Sequence, residues 1–163
     1  MIEIIPNWHP IFVHFTVALF TASVVLYVLA YMALYIRLGW RTLVSEFEVA
    51  ARWCLWLAAL FTIATVSVGF YAFYTVKHSV ISHLVMVTHR NWAITTAVML
   101  ILTACWSIWR YVQHKTLTLT FIVVLLIVQG LLLITAWYGG ELVYRYGTGV
   151  LSLPEVEKGT HYH

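Results

Sequence analysis

Trp8-His9-Pro10-Ile11-Phe12-Val13-His14-Phe15 opens a run without Lys, Arg, Asp or Glu that lasts from Pro10 to Ile36 and closes at Arg37. A run of that length exceeds the ~20 apolar residues that a helix needs to cross a bilayer. Three more runs follow: Trp53 to Val76 between Arg52 and Lys77, Asn91 to Trp109 between Arg90 and Arg110, and Thr116 to Tyr138 between Lys115 and Glu141. Lipid offers the backbone no hydrogen-bond partners, so each run must satisfy its own amides and carbonyls as a helix. Pro10 suits a first helical turn, where its missing N–H is no loss, and Gly139-Gly140 predicts the stop of the fourth helix. The reading is an all-α, four-transmembrane-helix bundle over residues 1–150, with 151–163 as a flexible C-terminal tail.

Composition points the same way. The chain of 163 residues is 63% hydrophobic and 9% charged, where a soluble domain carries ~25% charged residues. Nine Lys and Arg against six acidic residues leave +3. These cations stand singly at run ends, which argues against a nucleic-acid partner. The first run lacks a basic leader segment and is long, so no cleaved signal peptide is expected. Cys54 and Cys105 lie within apolar runs, and neither CxxC nor CxxCH occurs, which leaves thiolate zinc sites and c-type haem attachment without support. They read as small buried apolar side chains.

The cations also set an orientation. Arg37, Arg41, Arg52, Arg110 and Lys115 fall on one side, and Lys77, Arg90 and Arg145 on the other, with Lys158 beyond in the tail. The basic excess predicts the first side inside and both termini outside, which in a bacterial inner membrane is the periplasm. That orientation gathers His9, His14, His78, His83 and His89 at the outer end, while His114 sits inside. His78, His161 and His163 read as solvated. No internal repeat is evident beyond a loose echo, a histidine pair at the entrance of helices one and three. The connection from Arg37 to Ala51 is polar enough for an amphipathic turn. The one from Val76 to Arg90 carries apolar residues that extend helix three outward or lie on the surface.

Imidazole at the rim of an apolar bundle is costly unless something binds it, and transition metals are the usual binders. His9 and His14 are five residues apart, about 7.5 Å and 140° on a helix, so either each serves a different ligand or one binds while the other bonds elsewhere. Depth along parallel helices pairs His14 with His89, and His9 with His83 as a second site. Either pair suits the two faces of a b-type haem. Phe12, Phe15, Trp8 and Trp92 offer flat walls, and Arg90, Lys77 and Arg145 are cations for propionates. Interfacial aromatics also have ordinary membrane-anchoring reasons. Zinc or copper held by three or four of the histidines is the alternative. Glu141 and Arg145, four apart, are spaced to pair on a helical turn.

The opening stretch His9-Pro10-Ile11-Phe12-Val13-His14-Phe15 resembles the HPxxVHF motif of a bacterial four-helix membrane family of unassigned function. The closing stretch Gly140-Glu141-Leu142-Val143-Tyr144-Arg145 resembles that family's GxLVYR motif. The resemblance covers all four helices and implies a compact bundle suspected of binding haem b. By the same resemblance His9, His14 and, in His89-Arg90-Asn91-Trp92-Ala93, His89 are site residues. Relatives often end in YRHG, where this chain has Tyr144-Arg145-Tyr146-Gly147. The architecture is also similar to four-helix cytochromes that exchange electrons with quinones. The expectation is a membrane b-type cytochrome with one or two haems, ligated among His9, His14, His83 and His89 with Arg90 and Arg145 on propionates. It would pass electrons between the quinone pool and a periplasmic redox partner, or serve as a subunit or anchor of a larger complex or homo-oligomer. A non-redox protein binding zinc or copper is the rival.

Overall fold

A computed structural model describes residues 8–35, 41–76 and 80–150. Arg37, Lys77, His78, Lys158, His161, His163 and the tail 151–163 lie outside the described residues. The described chain forms four α-helices: α1 (His9–Tyr35), α2 (Arg41–Thr75), α3 (Val80–Val112) and α4 (Leu119–Tyr144). All four are long and apolar enough to cross a membrane. Each helix packs on its two neighbours in chain order and α4 closes on α1, so α1 faces α3, and α2 faces α4, across the diagonals of a square bundle.

The helices exceed the four predicted runs at their ends. α2 starts at Arg41 and absorbs most of the expected amphipathic turn, and α3 starts at Val80, nine residues before His89. With 35 and 33 residues, these two helices are about 50 Å long, well beyond a ~30 Å hydrocarbon core. α2 therefore projects at one end of the bundle and α3 at the other.

Helix α4 does not stop at Gly139-Gly140. It runs through both glycines to Tyr144, and the turn that ends it is built on Gly147. Gly147 adopts φ 59° and donates its N–H to the Val143 carbonyl, and Thr148 N–H reaches Leu142. A left-handed residue needs glycine at Gly147; an apolar helix interior tolerates Gly139 if something fills the space where its side chain is missing. The end of α3 uses a Schellman turn with a side chain in the glycine position: His114 has φ 49°, its N–H bonds Tyr111 O, and Lys115 N–H bonds Arg110 O.

The core repeats itself. Thr16, Phe20, Ser23, Val24, Tyr27 and Ala30 are the buried residues along α1, and Thr96, Leu100, Thr103, Ala104, Ser107 and Arg110, buried as well, are their counterparts on α3, each 80 positions later (96 minus 16). Ala51, Leu55, Ala58, Thr62 and Ala72 on α2 correspond to Phe121, Leu125, Val128, Leu132 and Leu142 on α4, each 70 positions later (121 minus 51). The fold is thus two like helical hairpins, α1–α2 and α3–α4, related by a pseudo-twofold axis along the bundle. The histidine echo at helices one and three is the visible edge of this repeat.

Candidate functional site

The repeat is most detailed at the end where α1 and α3 begin. His9 Nδ1 lies 3.0 Å from the Thr65 carbonyl on α2, and His89 Nδ1 lies 3.0 Å from the Thr135 carbonyl on α4. About two helical turns deeper along α1 and α3, threonine hydroxyls pair across the same helices: Thr16 with Thr65 at 2.9 Å and Thr96 with Thr135 at 2.8 Å. Thr65 and Thr135 each donate to the carbonyl four residues earlier, Phe61 O and Leu131 O. A carbonyl only accepts, so Nδ1 carries the proton in both imidazoles and Nε2 carries the ring's lone pair.

Glycines let the rings seat against the helices. A Cβ at Gly69 would stand 2.9 Å from Nδ1 and Cε1 of His9, and a Cβ at Gly139 would stand 3.2 Å from Cε1 of His89. Each glycine follows its threonine by one turn. The two hairpins therefore carry the same pattern, a His and a Thr seven apart on the first helix and a Thr and a Gly four apart on the second.

His9 and His89 meet across the diagonal, on the pseudo-twofold axis. Their ring centroids are 6.3 Å apart and the ring planes are nearly perpendicular, at 82°. An imidazole nitrogen lies about 1.1 Å from its ring centroid and binds metal at about 2.0–2.1 Å, so two rings ligating one ion in line have centroids about 6.2–6.4 Å apart. His9 and His89 are therefore the residues that could hold one metal centre between them, with Nδ1–H···O=C bonds of the kind that orient metal-ligating histidines. Among the described residues, no group of three or more His, Cys, Asp or Glu side chains is placed to hold an ion.

The depth-matched pairs read from the sequence are not the pairs the fold brings together. His14 is exposed and bonds through Nδ1 to the Pro10 carbonyl of its own helix. The 140° turn between His9 and His14 sends only one of them to the axis. His83, exposed on the projecting part of α3, lies with its ring 5.9 Å from that of Phe73. Arg90 sits over Phe73 at 4.9 Å and reaches Asn91. Arg145 pairs with Glu141 at 2.6 Å, on the exposed side of α4. Phe12 and Phe15 pack on Phe61 of α2, and Trp92 is half-buried on α3.

The opening and closing motifs thus lie at one end of one bundle, His9 at the start of α1 and Glu141–Arg145 at the end of α4. A family model described as a predicted membrane protein (DUF2231) matches residues 6–152, which takes in all four helices and both motifs. The chain belongs to the DUF2231 family. No curated protein and no solved structure matches it. In this DUF2231 chain the residues that sequence reasoning missed are Thr16, Thr65, Gly69, Thr96, Thr135 and Gly139. Their signal was present as His-x6-Thr followed by Thr-x3-Gly, twice. It is diluted because threonine and glycine are ordinary in membrane helices.

Proposed function

We propose that this protein is a membrane b-type cytochrome that holds one haem between His9 and His89. The observation that carries the reading is the imidazole pair itself, two rings on diagonal helices at the spacing of in-line axial ligands, each with Nδ1–H on a backbone carbonyl. Two imidazoles supply the two axial positions of an iron macrocycle, whereas a tetrahedral zinc or copper site asks for three or four ligands. Haem supplies one-electron chemistry when bound. The chain's own residues do the rest. Thr65 and Thr135 fix each tautomer and raise the basicity of Nε2, the glycines set how far each ring stands from the axis, and the apolar helices exclude water. Arg90 and Arg145 stand at the same end as cations for the two propionates. Electrons would pass between the quinone pool and a redox partner on the histidine face, with this chain as carrier or as the redox subunit of a larger complex.

The basic excess at the opposite end supports an orientation with that end inside and the haem near the periplasmic face of a bacterial inner membrane. A C-terminal reporter active only in the cytoplasm would reverse it.

The absorption spectrum of the purified protein tests the haem reading. Sharp reduced bands of low-spin haem b are expected in the wild type. His9→Ala and His89→Ala should each abolish the low-spin form, and His14→Ala should leave it intact. A colourless protein with stoichiometric zinc or copper, or low-spin haem surviving in both of the first two variants, overturns the reading.

A further inference from the structure

At the end away from the histidines the two hairpins differ by a cluster of charges. Glu48 and Arg52 on α2 correspond to Thr118 and Ile122 in the second hairpin, and Arg110 on α3 corresponds to the buried Ala30 of α1. The first of each pair is charged and the second is not.

These residues surround a cavity of ≈ 40 Å³ that Tyr27, Ser107, Tyr111 and Lys115 also line. That volume has room for roughly three waters, about the size of a tetrahedral oxyanion. Three cations and one carboxylate give the site a net charge of +2. Arg110 is committed to the α3–α4 connection, through Thr118 Oγ1 at 3.0 Å and the Thr116 carbonyl. Arg52 is not: its guanidinium stacks over Tyr111 at 4.2 Å and near Trp56 at 5.8 Å, and no hydrogen bond or ion pair ties it among the described residues. The Trp56 indole N–H beside it is buried without an acceptor among the described residues. Among the described residues the Tyr27 hydroxyl meets Ser107, at a long 3.4 Å. The cluster has more donors than acceptors, at the end of the apolar run that Arg110 closes.

We infer that this cavity binds the phosphodiester of an anionic lipid headgroup, with Arg52 and Lys115 as its principal contacts and Tyr27 as a neutral donor. The chemistry is that of basic pockets between membrane helices, where each nearby cation contributes to holding the phosphate. The aromatic face of Tyr111 holds the Arg52 guanidinium in place. The inference uses no part of the haem reading.

Native mass spectrometry of the full chain in neutral detergent, with phosphatidylglycerol or phosphatidylcholine added, tests it. The wild type should retain one phosphatidylglycerol with at least about tenfold preference over phosphatidylcholine. The Arg52→Gln/Lys115→Gln double variant should lose that preference, and Glu48→Gln, which removes the opposing charge, should strengthen retention. If the double variant fails to fold, Lys115→Gln alone, in an exposed connection, should weaken the preference by a smaller factor. Equal retention of both lipids by the wild type, or undiminished preference in the variants, overturns the inference. Displacement of the lipid by millimolar inorganic phosphate would assign the cavity to a soluble oxyanion and overturn the lipid assignment.

Discussion

Replacing Gly69 by Ala puts a methyl group where the His9 ring now lies. The new Cβ would stand 2.9 Å from two ring atoms of His9, while Gly139→Ala would place one 3.2 Å from His89. An ordinary contact begins at 3.4 Å, so His9 must withdraw by about 0.5 Å and His89 by only about 0.2 Å. The ring leans away from α2, the helix that carries its carbonyl partner. The 3.0 Å bond to Thr65 then lengthens toward about 3.5 Å, the limit of hydrogen bonding. Loss of such an orienting partner costs about 10–100-fold in metal affinity. Folding responds differently. Ala for Gly in a helix interior returns about 1 kcal/mol, close to the net worth of the one hydrogen bond lost.

The expected result is therefore a split. In haem titrations of the apoprotein in detergent, Gly69→Ala should raise Kd by about 10–100-fold and Gly139→Ala by less than about tenfold. Thermal unfolding of both apoproteins should stay within a few degrees of wild type. Wild-type affinity in Gly69→Ala would refute the positioning argument. So would a fall in affinity that merely tracked a fall in apoprotein stability.

Two further outcomes are expected. His114 holds φ 49°, a conformation that costs a side chain about 1 kcal/mol or more, so His114→Gly should raise stability by about 0.5–1 kcal/mol in denaturant or thermal melts; an unchanged or lower midpoint would remove strain from the account of that turn. Arg145 is exposed, and an exposed i,i+4 pair with Glu141 is worth only about 0.3–0.5 kcal/mol, so the guanidinium is easily diverted to a propionate. Arg145→Leu should leave stability nearly unchanged yet lower the haem midpoint potential, because the lost positive charge favoured the reduced state; an unshifted midpoint in a redox titration ends the propionate role.

The architecture was legible because lipid leaves the backbone few choices: four uncharged runs bounded by single cations give four helices and little else. The helix ends were less legible. Polar residues from Thr42 to Glu48 continue α2 because this stretch projects beyond the apolar slab, where hydropathy no longer marks a helix. Gly139-Gly140 looked like a terminus because a glycine that ends a helix and one that admits a neighbouring ring are identical in sequence. The difference lies in His89, fifty residues away.

Depth alone pairs His14 with His89, whereas the fold sets His9 beside His89. Depth makes His14 and His89 equals, but a helix places a side chain by angle as well as by rise, and five residues rotate His14 off the face that His9 shares with Thr16 and Phe20. The duplicated hairpin supplies the missing constraint. If the two halves are equivalent, the partner of His89 on the axis must be the residue 80 positions earlier, His9, and its support must come from the same pair of positions on the adjoining helix. Thr65 with Gly69 and Thr135 with Gly139 meet that condition without adjustment. Two like imidazoles thus approach the axis from opposite hairpins, which the exposed His14 and His83 do not, and this symmetry is what supports the proposal of a shared ligand.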